Sequence, residues 1–203
     1  MAVFGLTGGI GAGKSTVCDI LRDLGIAVVE ADQVGRDVVA VGSPGLAEVV
    51  AAFGPGVLGP DGELNRQQLG AVVFGDAAKR RQLEAIMHPL VLTHSQARFA
   101  ALGREGKAVI IYESALLFES KRHLEMQGSI VVIAGEAQRV ARVQARDQCS
   151  ADQVQARMRA QMSEAEKLEL ADYVLDNRHG LDTLREHVTT LAATLQDVAA
   201  TTA

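Results

Sequence analysis

Short unbroken apolar runs alternate along the chain with longer stretches in which apolar residues recur every three or four positions. That alternation predicts a buried sheet of parallel strands covered by helices on both faces. The runs Ala2–Leu6, Ile26–Val29, Ala108–Tyr112, Ser129–Ala134 and Tyr173–Asp176 have strand length and lack the polar alternation of a sheet with one wet face. After the first run, Val17, Ile20, Leu21 and Leu24 fall at helical spacing within Thr16–Leu24, and Gly25 stands where a helix ends. The chain closes with a helix from about Asp182, its inner face Leu184, Val188, Leu191, Leu195 and Val198, expected to fray over Ala199 to Ala203.

From Gln33 to Gly106 the pattern is helical throughout, far more chain than a plain crossover between two strands needs. Leu46, Val49, Val50 and Phe53 form one apolar face that Gly54-Pro55 stops. Pro60-Asp61-Gly62 marks a turn, Asn65 has the character of an N-cap ahead of Leu69, Val72 and Val73, and Asp76 can cap the helix carrying Leu83, Ile86, Met87 and Leu90. Pro89 is expected to kink or restart that last helix. His88 before it has two readings, a ring satisfying a freed carbonyl or a site residue. Part of this stretch is expected to be an inserted subdomain that holds a second substrate.

The chemistry enters between the first strand and the first helix. Gly8-Gly9-Ile10-Gly11-Ala12-Gly13-Lys14-Ser15 is a complete G-x-x-x-x-G-K-S loop in the strand–loop–helix setting that such a loop needs. Its glycines let backbone N–H groups turn inward on phosphate oxygens, and the following helix presents its positive end. Lys14 reaches the β and γ phosphates, and the Ser15 hydroxyl is the expected ligand of Mg²⁺. Asp32 follows the second strand run, where it is either a carboxylate on the rim shared with the loop or a turn or cap residue of the next helix. Glu113 follows the third, either organising magnesium-bound water or solvated.

Arg139, Arg142 and Arg146 recur at helical spacing on one face, with Arg157 and Arg159 further on. Such a face is ordinarily only solvated, but next to a phosphate loop its guanidinium forks suit a triphosphate. Ser150-Ala151-Asp152-Gln153 and Ser163-Glu164-Ala165-Glu166 are capping boxes that divide the region into short helices, as a hinged lid requires. Asn177 is placed at the end of the last strand.

Composition narrows the partners. The 203 residues are 48% apolar with 3% aromatic and a formal charge of −5, which argues against nucleic acid or an anionic membrane as the main partner. Cys18 and Cys149 make neither a disulfide framework nor a metal cluster and fit a reducing cytosol. The chain enters its first strand at once and has no apolar run of membrane length, so a soluble cytoplasmic protein is expected.

Gly5 to Thr16, Ala31-Asp32, Asn65-Arg66-Gln67-Gln68-Leu69 with Val73-Phe74, His88-Pro89, Leu116-Leu117-Phe118-Glu119, Gln138 to Arg142 with Arg146, Arg157 to Gln161 and Ala171 to Asn177 together resemble the dephospho-coenzyme A kinases, in order and over nearly the whole chain. One departure is Glu113-Ser114-Ala115, where that family commonly has Asp-x-Pro. The resemblance implies a single P-loop kinase domain over 1–203, a three-layer α/β/α sandwich with a parallel five-stranded sheet. Its core would be roughly 1–35, 106–135 and 170–203, with a helical acceptor-binding insertion roughly 36–105 and a helical lid roughly 136–165.

The implied reaction is ATP-dependent phosphorylation of the 3′-hydroxyl of dephospho-coenzyme A, the last step of coenzyme A synthesis, with Mg²⁺. Lys14, Asp32 and Arg146 would be catalytic, with Asp32 orienting or accepting the hydroxyl proton. Gly9, Gly11, Ala12, Gly13, Lys14, Ser15, Thr16, Arg142, Arg146 and Asn177 would bind the nucleotide, Asn177 on the adenine side. Thr7, Asp32, Arg66, Phe74, His88 and Leu116 would bind the acceptor, and Ser15 the metal. The implied partners are these small molecules, with neither nucleic acid nor membrane, and the chain is expected to be a monomer. Two other readings are another small-molecule P-loop kinase, of nucleotide or shikimate type, and a GTP switch. Against the switch, Asp32-Gln33-Val34-Gly35 lies only 18 residues after Lys14 and no N-K-x-D motif exists.

Overall fold

A computed structural model describes residues 1–202 of the chain. In order, the elements are β1 (Ala2–Thr7), α1 (Lys14–Asp23), β2 (Ala27–Glu30), α2 (Ala31–Asp37), α3 (Pro44–Phe53), α4 (Arg66–Phe74), α5 (Ala77–Arg104), β3 (Val109–Glu113), β4 (Gly128–Ile133), α6 (Glu136–Asp147), α7 (Ala151–Arg159), α8 (Glu164–Leu170), β5 (Tyr173–Asp176) and α9 (Leu181–Thr202). The strands form one five-stranded parallel sheet in the order β2-β3-β1-β4-β5. β1 is central, with β3 on one side and β4 on the other, which is where such sheets open a crevice at the strands' carboxyl ends.

The two faces of the sheet divide the apolar residues by period two. Phe4, Leu6, Ile130 and Val132 pack with Val17 and Leu21 of α1 and with Leu184, Val188 and Leu195 of α9. Val131 and Ile133 face the other way, against Phe118, Met162 and Ala171. Each fully buried aliphatic or phenyl side chain contributes about 1.5–3 kcal/mol, so the near-continuous Val, Ile and Leu of the strands carry this core without tryptophan. Among the described residues no helix is long and apolar enough to cross a membrane.

The chain divides into two compact units, one of Met1–Val29 with the chain from Ala101 onward, the other of Glu30–Ala100. The second is helical, apart from a single antiparallel bridge between Leu58 and Leu64 around the turn at Pro60-Asp61-Gly62. Asn65 accepts from the Gln68 N–H at 3.0 Å, and Asp76 accepts from those of Ala78 and Lys79, so both polar caps form at the positions where the sequence puts them.

Two expectations are revised, and of the kink or restart expected at Pro89 it is the restart that does not occur. Helix α5 runs through Pro89 without restarting. Pro89 and Ala85, whose carbonyl loses its helical partner there, are both exposed, so water can satisfy the freed group. The frayed end is also absent as far as Thr202. Helix α9 continues because Ala192, Leu195 and Ala199 are buried in the core, while Ala203 lies outside the described residues.

Candidate active site

Between β1 and α1 the chain must fold tightly enough to bring backbone N–H groups together, and the packing beneath the loop dictates its glycines. Gly13, the N-cap of α1, has φ of 99°, a left-handed conformation, and a Cβ there would overlap the Asn177 side-chain amide. Gly11 has φ of 77°, and its Cβ would lie 2.6 Å from the carbonyl oxygen of Arg139. At Gly9 a Cβ would collide with the Arg139 guanidinium. The loop is thus pressed from below by α6 and by the residue after β5. Lys14 and Ser15 are the first two residues of α1, whose first turn carries no acidic side chain, so its positive end is free to face an anion.

Lys14 Nζ donates to the carbonyl of Gly8 at 3.1 Å and lies 3.8 Å from Glu113 Oε1, with the two side chains 15% and 13% exposed. Of the two readings of Glu113, the solvated one therefore fails; this carboxylate shares the mouth of the loop with Lys14. Ser15 is exposed and Thr16 half-buried. Thr7 is fully buried, its hydroxyl donating to the carbonyl of Ala115 at 3.4 Å. Leu117, two residues further, fills the space over Gly5, while Leu116 is exposed.

The three arginines of α6 take different tasks. Arg139 is buried, and its Nε donates to the carbonyl of Ile10 at 3.0 Å. Arg142 NH1 donates to the carbonyls of Gly11 and Ala12, each at 3.4 Å, and its NH2 to that of Asn177 at 3.4 Å. Arg146 is turned to its own neighbour, Nε and NH2 donating to the Asp147 carboxylate at 2.7 and 3.0 Å, which Arg157 also meets at 2.7 Å. The hydrogen bond from Arg146, with that from Arg157, holds the Asp147 carboxyl down to about 2. Asn177 is 6% exposed and its amide donates to the Ala12 carbonyl at 2.8 Å.

Both capping boxes form, at Ser150–Gln153 and Ser163–Glu166. Between them Gln161 accepts from the Ile10 N–H at 2.9 Å. A cavity of about 660 Å³ lies beside this segment, its lining including Ala134, Glu136, Arg139, Met158, Arg159 and Glu164. Lys167 of α8, 1% exposed, donates to Glu119 at 2.8 Å. Burial works against ionisation of Glu119, but the bonds from Lys167 and the Met162 N–H bring its pKa below the usual carboxylate value.

Sequence reasoning counted Arg139 only as one of a face and gave Gln161 and Lys167 no task. The signal for Arg139 was its place one turn ahead of Arg142, opposite glycines that leave room for it.

In the helical unit, Asp32 is the second residue of α2 and exposed. The N-cap is Glu30, with no side-chain cap bond, so Asp32 does not cap the helix. Arg66 opens α4 beside the Asn65 cap and Phe74, a residue 89% exposed, closes it. His88 lies exposed in α5. Phe74 is the notable case, since a phenyl side chain held this far out of the core gains nothing from the fold.

The family model described as CoaE, dephospho-CoA kinase, matches residues 2–183. A dephospho-CoA kinase of Leifsonia xyli is 43% identical over 200 residues, covering 97% of this chain and 100% of that one. The crystal structure of TT1252 from Thermus thermophilus superposes with a TM-score of 0.82 at 34% identity, over 96% of this chain and 97% of that one. The dephospho-CoA kinase of Campylobacter jejuni, 23% identical with a TM-score of 0.67 over 96% and 97% of the two chains, shares the fold. With a family match over nearly its full length, the chain belongs to the dephospho-CoA kinase family.

Proposed function

We propose that the protein transfers the γ-phosphoryl group of ATP to the ribose 3′-hydroxyl of dephospho-coenzyme A, giving coenzyme A and ADP. The observation that carries this is the Lys14 ammonium at the mouth of a glycine loop packed for phosphates, in a chain whose residues 2–183 match the family. Lys14 neutralises β and γ oxygens, and the N–H groups of the loop and of the first turn of α1 bind the rest. Arg142, already against the loop, holds the nucleotide from the side of α6, with Asn177 below it. Arg146 exchanges Asp147 for the transferred group as charge develops there.

Asp32 orients the acceptor hydroxyl and takes its proton. Positioning matters more here than basicity, because a loose transition state needs little prior deprotonation. Thr7, Arg66, Phe74, His88 and Leu116 are assigned to the acceptor.

Mg²⁺ fits the residues present. The exposed Ser15 hydroxyl at the start of α1 and the Glu113 carboxylate near Lys14 are hard oxygen donors, the first suited to the ion directly and the second to its water. When bound, the ion spreads the negative charge of the phosphates.

We place the protein in the cytoplasm as a monomer acting on small molecules. We further propose that the Glu30–Ala100 unit binds the acceptor and that α6 to α8 serve as a lid. Incubation with dephospho-coenzyme A, ATP and Mg²⁺ should give, by mass spectrometry, a product heavier by one phosphoryl group. No gain there, with a gain on shikimate or a nucleoside monophosphate, would move the chain to another P-loop kinase reaction. Light scattering tests the monomer.

A further inference from the structure

We infer that Arg139 and Gln161 position the phosphate loop by holding the two peptide groups that flank Ile10, one on each side of the residue. This rests on the loop being the ATP site proposed above. The Ile10 carbonyl accepts from Arg139 Nε at 3.0 Å, and the Ile10 N–H donates to Gln161 Oε1 at 2.9 Å. Arg139 NH1 donates in turn to Glu164 Oε2 at 3.4 Å, so the guanidinium is fixed at both ends. Arg139 is only 8% exposed, and Gly9 lacks a Cβ where its guanidinium lies.

The arrangement has a use for phosphate binding. Ile10 is flanked by Gly9 and Gly11, residues with the widest conformational freedom, and a free loop of this composition would sample many directions for its N–H groups. Fixing the two peptide groups between them restricts those directions before the nucleotide arrives, so less order has to be imposed on binding. The two partners come from different places, Arg139 from the second turn of α6 and Gln161 from the link between α7 and α8. The same α6 carries Arg142 and Arg146, so the loop's shape and the placing of those arginines depend on one another. Arg139 and Gln161 are positioning residues, since neither needs to touch the phosphates.

Arg139→Met, Gln161→Met, the double variant and Arg139→Lys test this. Affinity for ATP with Mg²⁺ is measured by calorimetry without acceptor, together with melting temperature and steady-state constants on dephospho-coenzyme A. Each methionine variant should weaken ATP roughly 10-fold, the worth of one such hydrogen bond. The double variant should weaken it by roughly 10- to 30-fold and not ~100-fold, because both contacts hold the one residue, Ile10. The KM for dephospho-coenzyme A should stay within about two-fold, since the residue held belongs to the nucleotide loop.

Lysine at 139 keeps the charge but cannot meet Ile10 and Glu164 together, so it should stay nearer the methionine variant. Multiplicative losses, full recovery with lysine, or lowered melting temperature with unchanged ATP affinity would each overturn the inference. If Arg139→Met does not fold, Gln161→Met alone decides, being a change at a half-buried link outside any helix. If the wild type phosphorylates another acceptor, the acceptor-free calorimetry still judges the Ile10 contacts, so the two failures are told apart.

Discussion

The side-chain amide of Asn177, the buried residue after the last strand, donates at 2.8 Å to the carbonyl of Ala12 in the phosphate loop. The segment after β5 is thereby joined to the phosphate loop next to Gly13, where the loop turns into α1. Asn177→Ala removes a donor from a buried carbonyl, at a cost of about 1–3 kcal/mol. The lower end is expected because Arg142 also reaches Ala12. Urea unfolding should show a lower midpoint with unchanged slope, and ATP binding should weaken in the folded variant. A midpoint equal to wild type would mean that Arg142 or water takes over the carbonyl.

The Arg146 guanidinium is held by Asp147 in the structure and is proposed to leave it for the transferred phosphoryl. Arg146→Ala should lower kcat by roughly 10² to 10⁵, with Arg142 setting the lower end, while ATP affinity changes little. Arg146→Lys should recover little, for want of the planar fork. A variant altered only in its KM for ATP would reduce Arg146 to a binding residue.

The same pair has a pH signature. Asp147 is held at about 2 against an ordinary 3.8, by Arg146 first and then Arg157. A carboxylate with a depressed pKa stabilises the folded state fully above its unfolded value, and that contribution is lost as pH falls through the folded one. The window is therefore from about 4 down to about 2. Asp176, held at about 2 chiefly by its bond from Arg178, acts in the same window. Melting temperature should fall less steeply between pH 4 and 2 in Asp147→Asn than in wild type. Parallel curves for the two proteins would show that the pair contributes nothing to folding.

How much of this was legible from the residues varies with the range of the interaction. The strands, the glycine loop and the polar caps depend on neighbours within a few positions, and the sequence reading located them to within a residue or two at most ends. Helix α1 opens two residues earlier than expected, at Lys14, because Gly13 serves as its N-cap. The spacing of Arg139, Arg142 and Arg146 put them on one face, but not what each would meet. Arg139 finds Ile10 across 129 positions and Asn177 finds Ala12 across 165. Pro89 shows the reverse failure: the local rule was sound, but exposure of the affected carbonyl side let the helix continue.

Lys167 and Glu119 form such a distant pair, tying α8 to the segment after β3. Removing one partner of a buried pair leaves the other charge uncompensated, about 3–5 kcal/mol when both are fully buried. Glu119 is partly exposed, so Lys167→Met should cost toward the lower end of that range. Adding Glu119→Gln, which keeps an acceptor for the Met162 N–H, should restore much of the loss. Chemical denaturation of the single and double variants measures this. A double variant as unstable as the sum of its singles would show that the charges themselves were not the issue.

Asp32 is the test of how the proposed labour is divided. It sits exposed in the first turn of α2, where the helix dipole favours a carboxylate, and its side chain does not cap the helix. The phosphates are already served by Lys14, the loop amides and the start of α1, so Asp32 is proposed for the acceptor alone. Asp32→Asn keeps the shape and one acceptor oxygen but loses the charge. Transfer should therefore fall by roughly 10² to 10⁴, the usual worth of a positioned general base, with ATP affinity nearly unchanged. Calorimetry with ATP and no acceptor gives the second quantity, and coupled ADP release with dephospho-coenzyme A gives the first. Because the residue is exposed and makes no cap bond, folding should be little affected, and a loss of activity will not be confused with a loss of structure. Should ATP affinity drop in step with turnover, Asp32 belongs to the nucleotide or its ion. Should turnover persist, the hydroxyl is oriented by another group.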